Sequence, residues 1–358
     1  MKKMKITIAK SVLENTLIHA VPFLEKKDTS QITSHVYIDA RNNTLTLKAT
    51  DYEIGFLVKV DNITIDQEGT FTANGKKFLD IVKILKDGNI NLEIKNNTLH
   101  IAQGHSNFKL PTFSHSDFPE FPSYTDKPRI SIESHTLIES LKKITPAIDT
   151  NNPKFELNGA LIDIKQNAIH FASTDTRRLA VVTINNDSEN ELSIIIPRKA
   201  IVEIQKLFFD NIELYYDETN LIIHSQQYTF FTKLINGKFP EYSRIIPQEV
   251  AHNLILPKAV MIESIKQITT ISNDVKITFY NETITFESLS DDNIEAKTEI
   301  TYTTHFEKPF TLAINSRYLL DFLHSINVQD FSIGLNEENL PFILKDENFI
   351  TVVMPIVI

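Results

Sequence analysis

The stretch at residues 69–77, GTFTANGKK, has the glycines and lysine that a phosphate-binding loop uses to wrap backbone N–H groups and one cation around a phosphate. It places five residues between its glycines where that loop has four, and Lys77 where a magnesium-binding Ser or Thr is required, so no nucleotide site is expected there. A nucleophile elbow of the G-x-S-x-G type is absent, and the eleven histidines show neither H-E-x-x-H nor H-x-x-E-H spacing. Asp291-Asp292-Asn293 begins like a calcium loop but lacks the glycine and the distal glutamate at their offsets, so a solvated turn is expected. Cysteine is missing, which excludes disulfides and thiolate metal sites and fits a reducing compartment. Catalytic residues, metal and cofactor are therefore all expected to be absent, and the chemistry left is binding.

Charge says what could be bound. The formal net charge of −10 argues against nucleic acid if taken as a sum. Its distribution argues otherwise: six segments of helical periodicity hold thirteen Lys and Arg against six Asp and Glu. Positive charge is thus segregated onto helices and negative charge onto the rest, although lysines that merely decorate solvated helix faces would give the same count.

The elements that must position these charges recur along the chain. Residues 192–207 (LSIIIPRKAIVEIQKL) read as an apolar strand, a proline at the turn and an amphipathic helix with Ile201, Ile204 and Leu207 in register. Residues 69–85 and 309–323 repeat that plan, and residues 5–20, 129–144 and 253–268 repeat it in a second series. The spacing is that of a repeated domain rather than a stacked solenoid. Between the helices lie short alternating strands with turn signals such as Arg41-Asn42-Asn43, which read as antiparallel meander in an α+β fold. The first copy is placed at residues 1–125, the second at 126–249 and the third at 250–358. No run of eighteen apolar residues occurs, and a chain that is neither exported nor membrane-spanning is expected.

Several motifs carry a resemblance. Leu157-Asn158-Gly159-Ala160-Leu161, Ser173-Thr174-Asp175-Thr176-Arg177-Arg178-Leu179, Ile196-Pro197-Arg198-Lys199, Ile235-Asn236-Gly237-Lys238-Phe239-Pro240-Glu241-Tyr242 and the terminal Val352-Val353-Met354-Pro355 resemble, in order and spacing, the bacterial sliding clamp family, the beta subunit of DNA polymerase III. The resemblance spans the whole chain. It implies three tandem clamp domains, each with antiparallel sheets and two helices, joined head to tail in a homodimeric ring whose helices line the hole. It further implies a cytoplasmic, non-catalytic processivity factor that encircles double-stranded DNA without reading sequence, and that tethers the replicative polymerase, the clamp loader and other proteins through short peptides.

Residue by residue, the resemblance places the peptide pocket at Leu157, Thr174, Arg178, Leu179, Pro240, Arg244, Ile245, Val352, Met354 and Pro355, with Tyr318 in the adjoining groove. It places Lys26, Lys27, Lys76, Lys142, Lys143, Arg198, Lys199 and Lys206 against DNA, and Phe78, Ile81, Phe108, Leu110, Thr270 and Ile271 at the dimer interface. Thr176-Arg177 stands where the family often has Gly-His. The strand at residues 349–353 is expected at the edge of the third domain, with nothing depending on the residues after it. The competing reading is a β-rich regulatory or receptor-like binding protein without DNA encirclement; a nuclease would need clustered carboxylates around a metal.

Overall fold

The computed structural model describes residues 4–61, 63–186, 191–209, 211–289 and 294–357; Asp291-Asp292-Asn293 lies outside them. The described residues contain six α-helices: α1 (Lys10–Ala20), α2 (Gly75–Ile84), α3 (Ser134–Ile144), α4 (Arg198–Leu207), α5 (Lys258–Thr269) and α6 (Ser316–Ser325). Each starts within a few residues of the end of a strand, as the repeated strand–cap–helix pattern predicts. Asn74 caps α2 by accepting from the Lys77 N–H at 3.0 Å, and Asn315 caps α6 by accepting from the Arg317 N–H at 3.2 Å, which satisfies donors that the helix itself leaves unpaired.

Helical spacing then decides what each helix buries. On α2 the buried face is Phe78, Leu79 and Val82, while Lys76, Lys77, Asp80 and Lys83 face solvent. On α6 it is Leu319, Phe322 and Leu323. Each large apolar side chain so buried contributes about 1.5–3 kcal/mol. Lys86 falls outside α2, leaving twelve Lys and Arg against six Asp and Glu in the six helices, so the bias survives the correction.

Among the described residues the strands form four antiparallel sheets of five, eight, eight and four strands. Internal contacts divide the chain into two compact units, residues 1–135 with 202–234, and residues 136–201 with 235–358. In the first unit the five-stranded sheet ends on Ser106–Pro111, and the eight-stranded sheet joins Ile54–Val60 to Tyr228–Lys233. In the second unit the eight-stranded sheet joins Arg178–Asn185 to Phe349–Val353, and the four-stranded sheet ends on Lys297–Thr301 and Phe310–Asn315. The middle third of the sequence gives four strands to each eight-stranded sheet, which is why a chain of three repeats gathers into two units.

That topology corrects one expectation. Phe349–Val353 is an interior strand, hydrogen-bonded to Arg178–Asn185 on one side and to Phe342–Asp346 on the other. The residues after it are tied down as well: the Met354 N–H donates to the Arg177 carbonyl at 2.9 Å, and the Ile356 N–H to the Ala313 carbonyl at 2.6 Å.

The repeat extends to a turn. In Thr50–Ile54 the Thr50 hydroxyl donates to the Ile54 carbonyl at 2.7 Å, and the Asp51 carboxylate accepts from the Glu53 and Ile54 N–H groups at 3.1 and 3.0 Å. In Thr174–Arg178 the Thr174 hydroxyl donates to the Arg178 carbonyl at 2.6 Å, and Asp175 accepts from the Arg177 and Arg178 N–H groups at 3.1 and 3.0 Å. The central residue is left-handed in both, with φ 75° at Tyr52 and 73° at Thr176, where glycine would carry no Cβ penalty.

Candidate peptide-binding cleft

The strands Arg178–Asn185 and Phe349–Val353 pair with Arg178 opposite Val353, Leu179 opposite Val352 and Val181 opposite Ile350. Alternation along a strand sends neighbouring side chains to opposite faces. On one face Leu179, Val181 and Val352 join Leu161, Ala172, Ile195 and Phe239 in a buried cluster, with Ile235, Tyr242, Ile246 and Ile350 packed around it. Leu157, Leu179 and Val352 are each 2% exposed and Thr174 is buried. Pro240 and Arg244 are exposed, and Ile245 and Met354 are apolar residues that stay 44% and 40% exposed. An apolar floor with an apolar, solvent-facing rim can take large apolar side chains of an extended peptide.

Tight approaches around the floor account for two of the glycine motifs. A Cβ on Gly159 would lie 2.5 Å from the Ile196 carbonyl oxygen, and one on Gly237 would lie 2.9 Å from the Glu156 side chain. Asn158 braces its loop by accepting from the Asn152 N–H at 2.8 Å and donating to the Asn152 carbonyl at 2.9 Å. Behind the Pro240 wall the Tyr242 hydroxyl donates to Asp163 at 3.4 Å; burial, and then the Asp163 charge, push that phenol well above its usual range.

The corresponding seam in the first unit is closed. There the Lys233 N–H donates to the Glu53 carbonyl at 2.8 Å, in the role of Met354 and Arg177. Phe231 stands where Val352 does, its ring so close over Gly55 that a Cβ there would lie 2.0 Å from it. Phe121 packs edge-on against Phe231 with ring centroids 4.9 Å apart, and the Lys48 ammonium sits 5.4 Å from the Phe121 ring. Phe231 and Phe121 cover one seam, whereas the other has the smaller Val352 in the place of Phe231 and keeps exposed apolar residues, Ile245 and Met354, nearby in sequence.

Arg178 departs from its expected place at the cleft edge. It points to the other face of the sheet with Ala180, Phe349 and Thr351, is almost fully buried, and has its charge engaged. Its Nε donates to Asp175 at 2.9 Å, its Nη1 to Asp321 at 2.7 Å and its Nη2 to the Pro146 carbonyl, while the Tyr318 ring centroid lies 4.6 Å from the guanidinium carbon. Asp175 and Asp321 were not expected as site residues. The signals available were the spacing of Asp175 three residues before Arg178 and of Asp321 three residues after Tyr318 on α6. Arg244 does reach solvent, with its Nε 3.0 Å from Glu241.

The cations assigned to DNA sort by exposure. Lys26, Lys27, Lys76 and Lys206 belong to the first unit and are exposed, Lys206 paired with Glu203 at 2.9 Å. In the second unit Lys142 and Lys199 are exposed, Lys142 paired with Glu139 at 2.7 Å. Lys143 and Arg198 are half-buried: the Lys143 ammonium lies 5.6 Å from the Phe349 ring, and the Arg198 Nε is buried. Of the residues assigned to the dimer interface, Phe78 is 0% exposed and Leu110 buried, so both fill their own unit's core rather than offer surface. Ile81 and Phe108 are half-buried, and Thr270 and Ile271 are exposed beyond the end of α5.

Three family descriptions cover the chain: the N-terminal domain of the DNA polymerase III beta subunit over residues 4–122, its central domain over 131–241 and its C-terminal domain over 243–357. The beta sliding clamp of Helicobacter pylori is 38% identical over 352 residues, covering 96% of this chain and 94% of that protein. The chain belongs to the DNA polymerase III beta subunit family. A crystal structure of the Helicobacter pylori beta clamp bound to a DNA ligase peptide superposes with a TM-score of 0.93 at 37% identity, over 99% of this chain and 100% of that one. The DNA polymerase III beta subunit of Pseudomonas aeruginosa shares the fold, with a TM-score of 0.91 at 22% identity over 99% of this chain and 100% of that one. The sliding-clamp fold of three tandem domains with antiparallel sheets is thus common to chains that share few residues. No helix among the described residues is long and apolar enough to cross a membrane.

Proposed function

We propose that this chain is a DNA sliding clamp, a non-catalytic processivity factor of the cytoplasm. Its three clamp domains, residues 1–125, 126–249 and 250–358, close with those of a second copy into a head-to-tail ring around double-stranded DNA. The helices, with twelve basic against six acidic residues, face the enclosed duplex and contact phosphates without reaching base edges. Lys26, Lys27, Lys76, Lys142, Lys199 and Lys206 are the exposed cations suited to that task. Retention comes from closure of the ring, which reconciles DNA binding with a net charge of −10.

The observation that carries the tethering role is that Pro240, Ile245 and Met354 stay exposed within two residues of Phe239, Ile246 and Val352, which belong to or pack on the buried cluster with Leu179. Short extended peptides of the replicative polymerase, the clamp loader and other DNA-handling proteins dock there; that the Helicobacter pylori beta clamp binds a DNA ligase peptide supports peptide binding by this chain. Fluorescence anisotropy with a labelled peptide of the glutamine-leucine-aromatic type tests the assignment. Ile245→Asp weakens binding at least about tenfold by placing a charge on the apolar rim. Unchanged affinity in a folded variant would place the peptide site elsewhere.

A further inference from the structure

Arg178 sits on the seam of the second eight-stranded sheet, and its surroundings do more than hold a strand in place. Its side chain is 5% exposed, with the Asp175 and Asp321 carboxylates against it at 2.9 and 2.7 Å. A buried guanidinium already shared by two carboxylates and a carbonyl has little charge left to offer a peptide. What it does offer is a flat, fixed plate, on which the Tyr318 ring rests at 4.6 Å. Tyr318 and Asp321 leave the same face of α6, three residues apart, so one helix supplies both the ring and the carboxylate that fixes the plate beneath it. Asp175 belongs to the turn that leads into Leu179, so the same guanidinium also joins α6 to the cleft floor.

We propose that Asp321 is a positioning residue for peptide binding: it fixes the Arg178 guanidinium and, through it, holds the Tyr318 ring, which the resemblance places in the groove adjoining the cleft. The proposal rests on the reading of this cleft as the peptide site. A residue that only stabilised the fold would act on affinity independently of Tyr318, whereas one that acts through Tyr318 cannot matter once that ring is gone.

A double-mutant cycle on the full chain separates these roles. The dissociation constant of a labelled peptide carrying a leucine-aromatic pair is measured for the unsubstituted protein, for Asp321→Asn, for Tyr318→Leu and for the double variant. Asp321→Asn weakens binding roughly five- to tenfold alone and less than about twofold when added to Tyr318→Leu. If Asp321→Asn fails to fold, Asp321→Glu, which keeps the charge and displaces the carboxylate, takes its place in the cycle. Equal losses in both backgrounds, or no loss in either, overturn this proposal alone. Failure of the unsubstituted protein to bind the peptide overturns the functional reading and the proposal with it.

Discussion

Thr176 holds a β-branched side chain at φ 73°, in the turn where the resemblance expects glycine. A non-glycine residue there carries about 1–2 kcal/mol of strain, and glycine returns about 0.4–1 kcal/mol of it as extra unfolded-state entropy. Thr176→Gly therefore stabilises the fold by about 0.5–1 kcal/mol, read as a raised midpoint in urea titration at unchanged slope. His35 makes the opposite kind of prediction. Its ring is buried, stacks on Phe113 at 4.1 Å and lies 3.3 Å from the Thr72 hydroxyl, and burial lowers its pKa to about 4. In the unfolded chain the same group takes up its proton near the ordinary value of about 6.5. Between these values the unfolded state binds more protons, so stability is present in full above about pH 6.5 and is lost as pH falls towards about 4. Thermal melts across that window fall with pH in the natural chain and fall less in His35→Gln.

At the scale of elements, the segment after Phe349–Val353 is tied to both the Arg177 and Ala313 carbonyls. Deleting Met354 onward therefore lowers the melting temperature as well as weakening peptide binding by about tenfold or more, a loss of ~1.4 kcal/mol or greater from the rim. Calorimetry and anisotropy on one preparation check both effects; an unaltered melting temperature would mean that those two hydrogen bonds contribute nothing. Strand–helix pairs, helix faces and meander strands were legible in the sequence because period and capping residues are local: Ile201, Ile204 and Leu207 are all buried on α4 as their spacing requires. Strand partners were not legible. Nothing near Phe349–Val353 in sequence indicates that it pairs with Arg178–Asn185, so from sequence alone it reads as an edge; the rim position of Arg178 comes from the resemblance, which does not say which face of the sheet the side chain takes. Phe78 comes to the interface through the resemblance, which carries a position over without its burial, and in this chain its side chain is 0% exposed. The proposed cleft rests on its motifs: Leu157, Leu179 and Val352 read as ordinary core from residue type alone, and the exposure of Ile245 and Met354 is what supports a binding role there.

At the scale of the whole molecule, the strand Ser106–Pro111 ends one five-stranded sheet and Lys297–Thr301 ends one four-stranded sheet, each with one side free of a strand partner among the described residues. Such edges invite pairing between copies. Phe108 on the first edge is half-buried, and Ile271, 39% exposed, follows α5. Phe108→Asp with Ile271→Asp yields monomers in analytical ultracentrifugation, whereas an unchanged dimer would refute that interface. Closure of two such chains around DNA is the central claim, and retention on circular DNA tests it most directly. The protein is placed on a nicked circular plasmid with a clamp-loading ATPase, separated by gel filtration in high salt, and filtered again after the plasmid is cut once. The clamp reading predicts that the protein travels with the circle and is lost when the DNA is made linear. Equal retention on circular and linear plasmid, or release from both as salt rises, would contradict it.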